Sequence, residues 1–146
     1  MDKLSQLKTY HVGIVESAAH RALRKHKDSL LKEYGLSGIE WYIIGAVYDS
    51  GDKGARITDL AKLLGTTMGF LTKTVNLLEA KDIFQRKANP NDARSSFVFI
   101  KKSYEPKVNE IEQVLRQKLR NSIYGMISRD DLETYIRVIS KFSGLK

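Results

Sequence analysis

The chain has 146 residues, 42% hydrophobic and 29% charged, with no cysteine and a net charge of +8 at neutral pH. That length suits a single domain with one core. The lack of thiols excludes disulfide or thiol-redox chemistry, no apolar run approaches the roughly 20 residues that span a bilayer, and the excess of bases favours a polyanionic partner.

The N-terminal Met-Asp-Lys-Leu-Ser-Gln-Leu-Lys lacks the apolar centre of a signal peptide, so a cytoplasmic location is expected. Leu4, Leu7, His11, Ile14, Ala18 and Ala22 recur at steps of three and four, predicting a long first helix over about residues 3–33. Tyr34-Gly35 closes it. Ser37 is the expected N-cap of a second helix, with Glu40 completing a capping box. That helix runs from Gly38 to about Tyr48 and is apolar nearly all round, which predicts burial at the domain centre.

After a loop over residues 49–54, Thr58 is the expected cap of a third helix burying Leu60, Ala61, Leu63 and Leu64. Gly65-Thr66-Thr67 turns the chain, and small Ala61 and Gly65 suit a close helix crossing. A fourth helix is predicted from Met68 to Lys81, with Leu71, Val75 and Leu78 facing inward. Phe84 to Ala88 and Ser96 to Ile100 read as paired strands joined by Asn89-Pro90-Asn91-Asp92, where Pro90 suits a type I turn. Beyond Pro106 comes a helix carrying Val108, Ile111, Leu115, Leu119, Ile123 and Met126. A last helix carries Leu132, Tyr135, Ile136, Ile139 and Phe142. The fold class expected is mainly α with a small β wing. The terminal helices have too few partners in one subunit of this size, so they should form a dimer interface.

Two short helices across a tight turn, followed by a basic hairpin, make a helix-turn-helix with a wing. Between Lys53 and Lys102 ten bases stand against four acids, so most of the excess charge lies here. A recognition helix offers its N-terminal and outward residues to a DNA groove. Helical spacing assigns Thr66, Thr67, Gly69, Phe70, Thr72, Lys73 and Asn76 to that role. Asn76 suits adenine, Lys73 a phosphate or guanine, and threonine methyls a thymine methyl. The alternative for Thr66 or Thr67 is the N-cap of the fourth helix, since one hydroxyl does only one of these jobs well. Phe70 either meets a thymine methyl or belongs to the core. In the hairpin, Arg94 is expected to reach the minor groove, Asp92 to orient Arg94, Arg86 and Lys87 to contact phosphates, and Asn91 to be a further DNA-binding residue.

These residues resemble the MarR family of winged-helix transcriptional regulators over nearly the whole chain. The resemblance rests on Leu36-Ser37, on Ile57-Thr-Asp-Leu-Ala-Lys-Leu-Leu64, on Leu71-Thr-Lys-Thr-Val-Asn-Leu-Leu-Glu-Ala-Lys81, and on Asp92-Ala93-Arg94. It implies a winged-helix lobe over residues 36–102 between dimerisation helices at 1–33 and 104–146. It also implies a homodimer on a pseudo-palindromic operator, most often a repressor released by a small ligand. Three departures stand out. The wing has Ala93 where the family usually has Arg, Asp82 replaces the Gly after the recognition helix, and Ile100-Lys-Lys-Ser-Tyr104 replaces the usual Leu-Thr…Gly.

Tyr10, His11, Trp41 and Tyr42 are candidates for the effector crevice that the resemblance implies, with plain core as the alternative. The three histidines, His11, His20 and His26, do not share one helix face, so no metal site is expected. No cofactor-binding or catalytic motif is present, and no enzymatic role is expected. The rival expectation is a winged-helix scaffold used to bind protein without an operator.

Overall fold

The computed structural model describes residues 3–89 and 92–145, with the side chains of residues 3, 4, 89 and 92–95 outside that description. The chain divides into two compact units, Met1–Gly38 and Ile39–Lys146. In the first, a short 3-10 turn (Lys3–Gln6) precedes α1, Thr9–Leu31, which is extended by a 3-10 turn at Lys32–Tyr34. The helix therefore starts later than its apolar pattern predicts. Gly35 ends it at φ +68°. Leu31 and Leu36 are buried, but the apolar residues near the start are not: Tyr10, Ile14 and Val15 are each more than 60% exposed.

The second helix, α2 (Gly38–Ser50), begins where Asp28 Oδ1 accepts the Gly38 amide at 2.5 Å. That first amide is thus held by an aspartate ten residues upstream. Ile43, Ile44 and Val47 of α2 are fully buried, whereas Tyr42 is 44% exposed, so the helix is central on one side only.

A two-residue strand, β1 (Ala55–Arg56), leads into α3 (Ile57–Leu64) and α4 (Met68–Ala80). Strands β2 (Phe84–Asn89) and β3 (Asp92–Ile100) complete an antiparallel sheet of order β1-β3-β2. Ala55 pairs with Val98 and Arg56 with Phe97, while Phe84 pairs with Ile100 and Lys87 with Phe97. Alternation then turns Phe84, Val98 and Ile100 to the buried face and leaves Phe97 and Phe99 half-exposed on the other. A register shift at Ala88/Asn89 bends the hairpin before its tip.

The core of this unit is filled by Leu60 and Ala61 of α3, Leu71, Val75 and Leu78 of α4, the inner sheet face, and Val108, Ile111 and Leu115 of α5 (Glu105–Arg120). The periodicity that suggested a helix reaching Met126 overran its end. After Arg120 the chain folds back so closely that a Cβ on Gly125 would sit 2.6 Å from the Arg120 carbonyl oxygen. A 3-10 turn (Tyr124–Met126) follows, and then α6 (Arg129–Ser143), capped by Ser128 Oγ accepting from the Asp131 amide at 3.0 Å. Helix α6 buries no side chain. Its Ile136, Ile139 and Phe142 are 51%, 40% and 81% exposed. An Ile or Phe left in water forgoes about 1.5–3 kcal/mol of burial free energy, so this row is an uncovered apolar face.

Candidate nucleic-acid interface

The turn between α3 and α4 is set by backbone conformation. Gly65 sits at φ +62°, and the amides of Gly65 and Thr66 close on the carbonyls of Lys62 (3.3 Å) and Ala61 (3.0 Å). A Cβ on Gly65 would touch nothing within 4 Å. Glycine is there for the left-handed dihedral and not, as the sequence suggested, for a close helix crossing. Thr58 lies inside α3, whose N-cap position is Arg56.

Thr67 resolves the choice between cap and contact. Its Oγ1 accepts the Phe70 amide at 3.1 Å, satisfying one of the otherwise unpaired donors at the start of α4. Thr66 is half-buried in the turn. Leu71, Val75 and Leu78 are inward as expected, and buried Thr74 spends its hydroxyl on the Phe70 carbonyl at 2.9 Å. Gly69, Phe70, Lys73, Asn76 and Leu77 are exposed, and Thr72 is half-exposed. Phe70, at 44% exposure, is therefore surface and not misjudged core.

Arg86 on β2 is not a free cation. Its Nε donates to Glu79 Oε1 and its Nη2 to Asn76 Oδ1, so the guanidinium ties the first wing strand to the outer flank of α4. This changes two readings. Arg86 is half-buried in an ion pair, which leaves it poorly placed as a phosphate contact. Asn76 has committed the oxygen that a bidentate adenine contact needs, because that contact uses both the amide oxygen and the nitrogen. Glu79 was missed in the sequence, although it lies three residues from Asn76 on the same helical flank. Glu79 is also the only acid of α4, so with Arg86 in place the helix carries no unneutralised carboxylate.

Other cations are positioned by aromatic rings. Lys87 Nζ lies 4.8 Å from the centroid of Phe99, and the Arg56 guanidinium 5.3 Å from that of Phe97. Both bases are exposed, so the rings orient their charge without neutralising it. Arg56 was not singled out in the sequence, because nothing local shows that its partner is a phenylalanine some 40 residues away. Asp82, where the resemblance implies glycine, adopts φ +62° as its side-chain chemistry allows. Lys101 Nζ holds it at 2.8 Å, and that hydrogen bond and charge keep the Asp82 carboxyl below the usual range. Pro90 and Asn91 lie outside the described residues, as do the side chains of Asp92 and Arg94.

Away from α4, Trp41 and Tyr42 line a cleft of about 450 Å³ between α2 and α5, together with Tyr48, Asp49, Asn109 and Glu112. Tyr10 and His11 belong to the first unit, where both are exposed and their rings meet edge to face at 4.5 Å. Among the described residues no group of three metal-ligating side chains converges, and no helix is long and apolar enough to cross a membrane.

Residues 34–95, which contain the helix-turn-helix and most of the hairpin, match the model of the MarR family. Solved structures share the fold. AbsC, a MarR family transcriptional regulator from Streptomyces coelicolor, aligns with a TM-score of 0.77 at 16% identity over 94% of each chain. A point mutant of MarR from E. coli, complexed with operator DNA, aligns with a TM-score of 0.75 at 20% identity, covering 93% of this chain and 99% of its own. The MepR–DNA complex of S. aureus gives 0.74 at 16% identity, covering 93% and 96%.

Proposed function

From a chain that belongs to the MarR family through its winged-helix lobe and shares the fold of MarR regulators, we propose that this protein is a sequence-specific regulator of transcription that binds double-stranded DNA. The observation that carries the reading is the outward face of α4. It is capped by Thr67, exposes Gly69, Phe70 and Lys73, and has its only acid neutralised by Arg86. Nothing on that helix repels a phosphate backbone. Lys73, Lys87 and Arg56 supply counter-charge, which positions the protein, while Thr72 and Phe70 meet base edges and thymine methyls. On the wing, Arg94 enters the minor groove, steadied by Asp92, and Asn91 is a further DNA contact.

The working unit is a homodimer. Residues 1–33 and 104–146 are its dimerisation helices, and the exposed apolar rows of α1 and α6 support this assignment. The protein acts as a cytoplasmic repressor, by occupying promoter DNA and without catalysis. A small ligand in the cleft beside Trp41 and Tyr42 releases it. Selection from random duplexes tests the reading. Two inverted half-sites with centres about 10 to 10.5 base pairs apart are expected. Failure to enrich any sequence would favour a scaffold that binds protein.

A further inference from the structure

We propose that the cleft between α2 and α5 selects an organic cation, a compact aromatic or quaternary ammonium compound. This rests on the reading of that cleft as the effector site and adds the chemical class of the ligand.

The cleft has the size of a small-molecule site, about 450 Å³. Its lining includes Trp41, Tyr42 and Tyr48, three aromatic rings on one helix, together with Asp49 and Glu112. Among the described residues no lysine, arginine or histidine lines it. That is informative in a chain of net charge +8. A second cleft in this unit, of about 340 Å³, mixes Lys87 and Lys102 with Asp52 and Glu105, so an acid-only lining distinguishes the first. Glu112, itself part of the lining, is paired with Arg116 at 3.3 Å, so the lining's negative charge rests chiefly on Asp49. Tyr48 donates its hydroxyl to Asn109 Oδ1 at 3.2 Å, which fixes the ring against α5.

Aromatic faces attract cations through the ring quadrupole, and nearby carboxylates add a field of the same sense. The same groups disfavour an anion, which would meet Asp49 and find no cation among the lining residues. Gly45 and Ala46 also line the cleft. A Cβ on Gly45 would meet nothing within 4 Å, so the space there is open and a larger side chain would fill it without displacing the fold.

Trp41 is the chain's only tryptophan, so its emission reports directly on this cleft. The test titrates the full-length protein with benzyltrimethylammonium and, separately, with phenylacetate as an anion of similar size. Saturable quenching by the cation alone is expected. The Asp49→Asn, Glu112→Gln double variant should bind about tenfold more weakly, and Gly45→Leu should show no saturation. Equal binding of phenylacetate, a merely linear response to the cation, or unchanged affinity in the double variant would overturn the proposal. Duplex binding, measured in parallel, keeps the two readings apart. DNA binding without cation binding sinks only the ligand class. Cation binding that leaves DNA affinity unchanged upholds the ligand class and sinks release.

Discussion

Arg86 shows how one contact redistributes a binding surface. A cation held by Glu79 and Asn76 has little charge left for phosphate, so its contribution to DNA binding is mechanical: it fixes the wing against α4. Arg86→Ala should therefore weaken duplex binding with almost no change in the slope of log K against log salt concentration. Glu79→Gln should steepen that slope by about 0.9 for each half-site contacted, the value of one further phosphate contact. A flatter slope for Arg86→Ala would return the residue to the phosphate contacts. Asp82 offers a second test at this scale. A left-handed residue other than Gly, Asn or Asp costs about 1–2 kcal/mol, so Asp82→Ala should lose about that much stability in urea unfolding, while Asp82→Gly should lose much less. The left-handed conformation at Asp82 was legible only through the resemblance, which implies glycine at that position, and Asp is among the residues that still accept it. The engagement of Arg86 was not, because spacing along one helix does not show which cation a neighbouring strand delivers to it.

Among the elements, the helix-turn-helix was legible because its two amphipathic stripes and Gly65 act locally. Strand β1 was not, since two residues carry no periodicity and its pairing with Phe97 and Val98 is long-range. The end of α5 was overrun for a related reason: Ile123 and Met126 continue the apolar pattern past the point where Gly125 lets the chain fold back. For α4 the cap is the sensitive point. Thr67→Ala should cost about 1 kcal/mol of stability, and Thr67→Ser should restore it. If Ala and Ser unfold alike, the hydroxyl is not serving as the cap. At the entry to α5, burial pushes the Tyr104 phenol above its ordinary value of 10.0. A raised pKa gives stability that is complete below the unfolded value and is lost as pH rises through the folded one. Above about pH 10, the ordinary phenol value, the wild type should therefore lose stability relative to Tyr104→Phe, as read from urea midpoints. A constant difference would contradict the assignment.

At the scale of the whole molecule, the proposed function depends on a second copy. Helices α1 and α6 each display apolar residues that their own unit leaves in water, such as Ile14, Val15, Ile136 and Phe142. Pairing two copies through these helices would bury them and hold two α4 helices at a fixed separation. An Ile136→Asp, Phe142→Asp variant should sediment as a monomer and lose operator binding, although its winged helix is untouched. A dimeric variant would move the interface elsewhere. The terminal helices were legible as unpartnered surfaces from their length and apolar pattern, whereas the acid-only lining of the α2–α5 cleft emerged only when two helices far apart in sequence were brought together. The central claim is that the outward face of α4 meets duplex DNA, and the salt dependence of affinity for a selected duplex tests it most directly. Wild type should show a steep negative slope, and Lys73→Ala should flatten it by about 0.9 for each half-site contacted. A shallow wild-type slope, or one that Lys73→Ala leaves unchanged, would contradict the account.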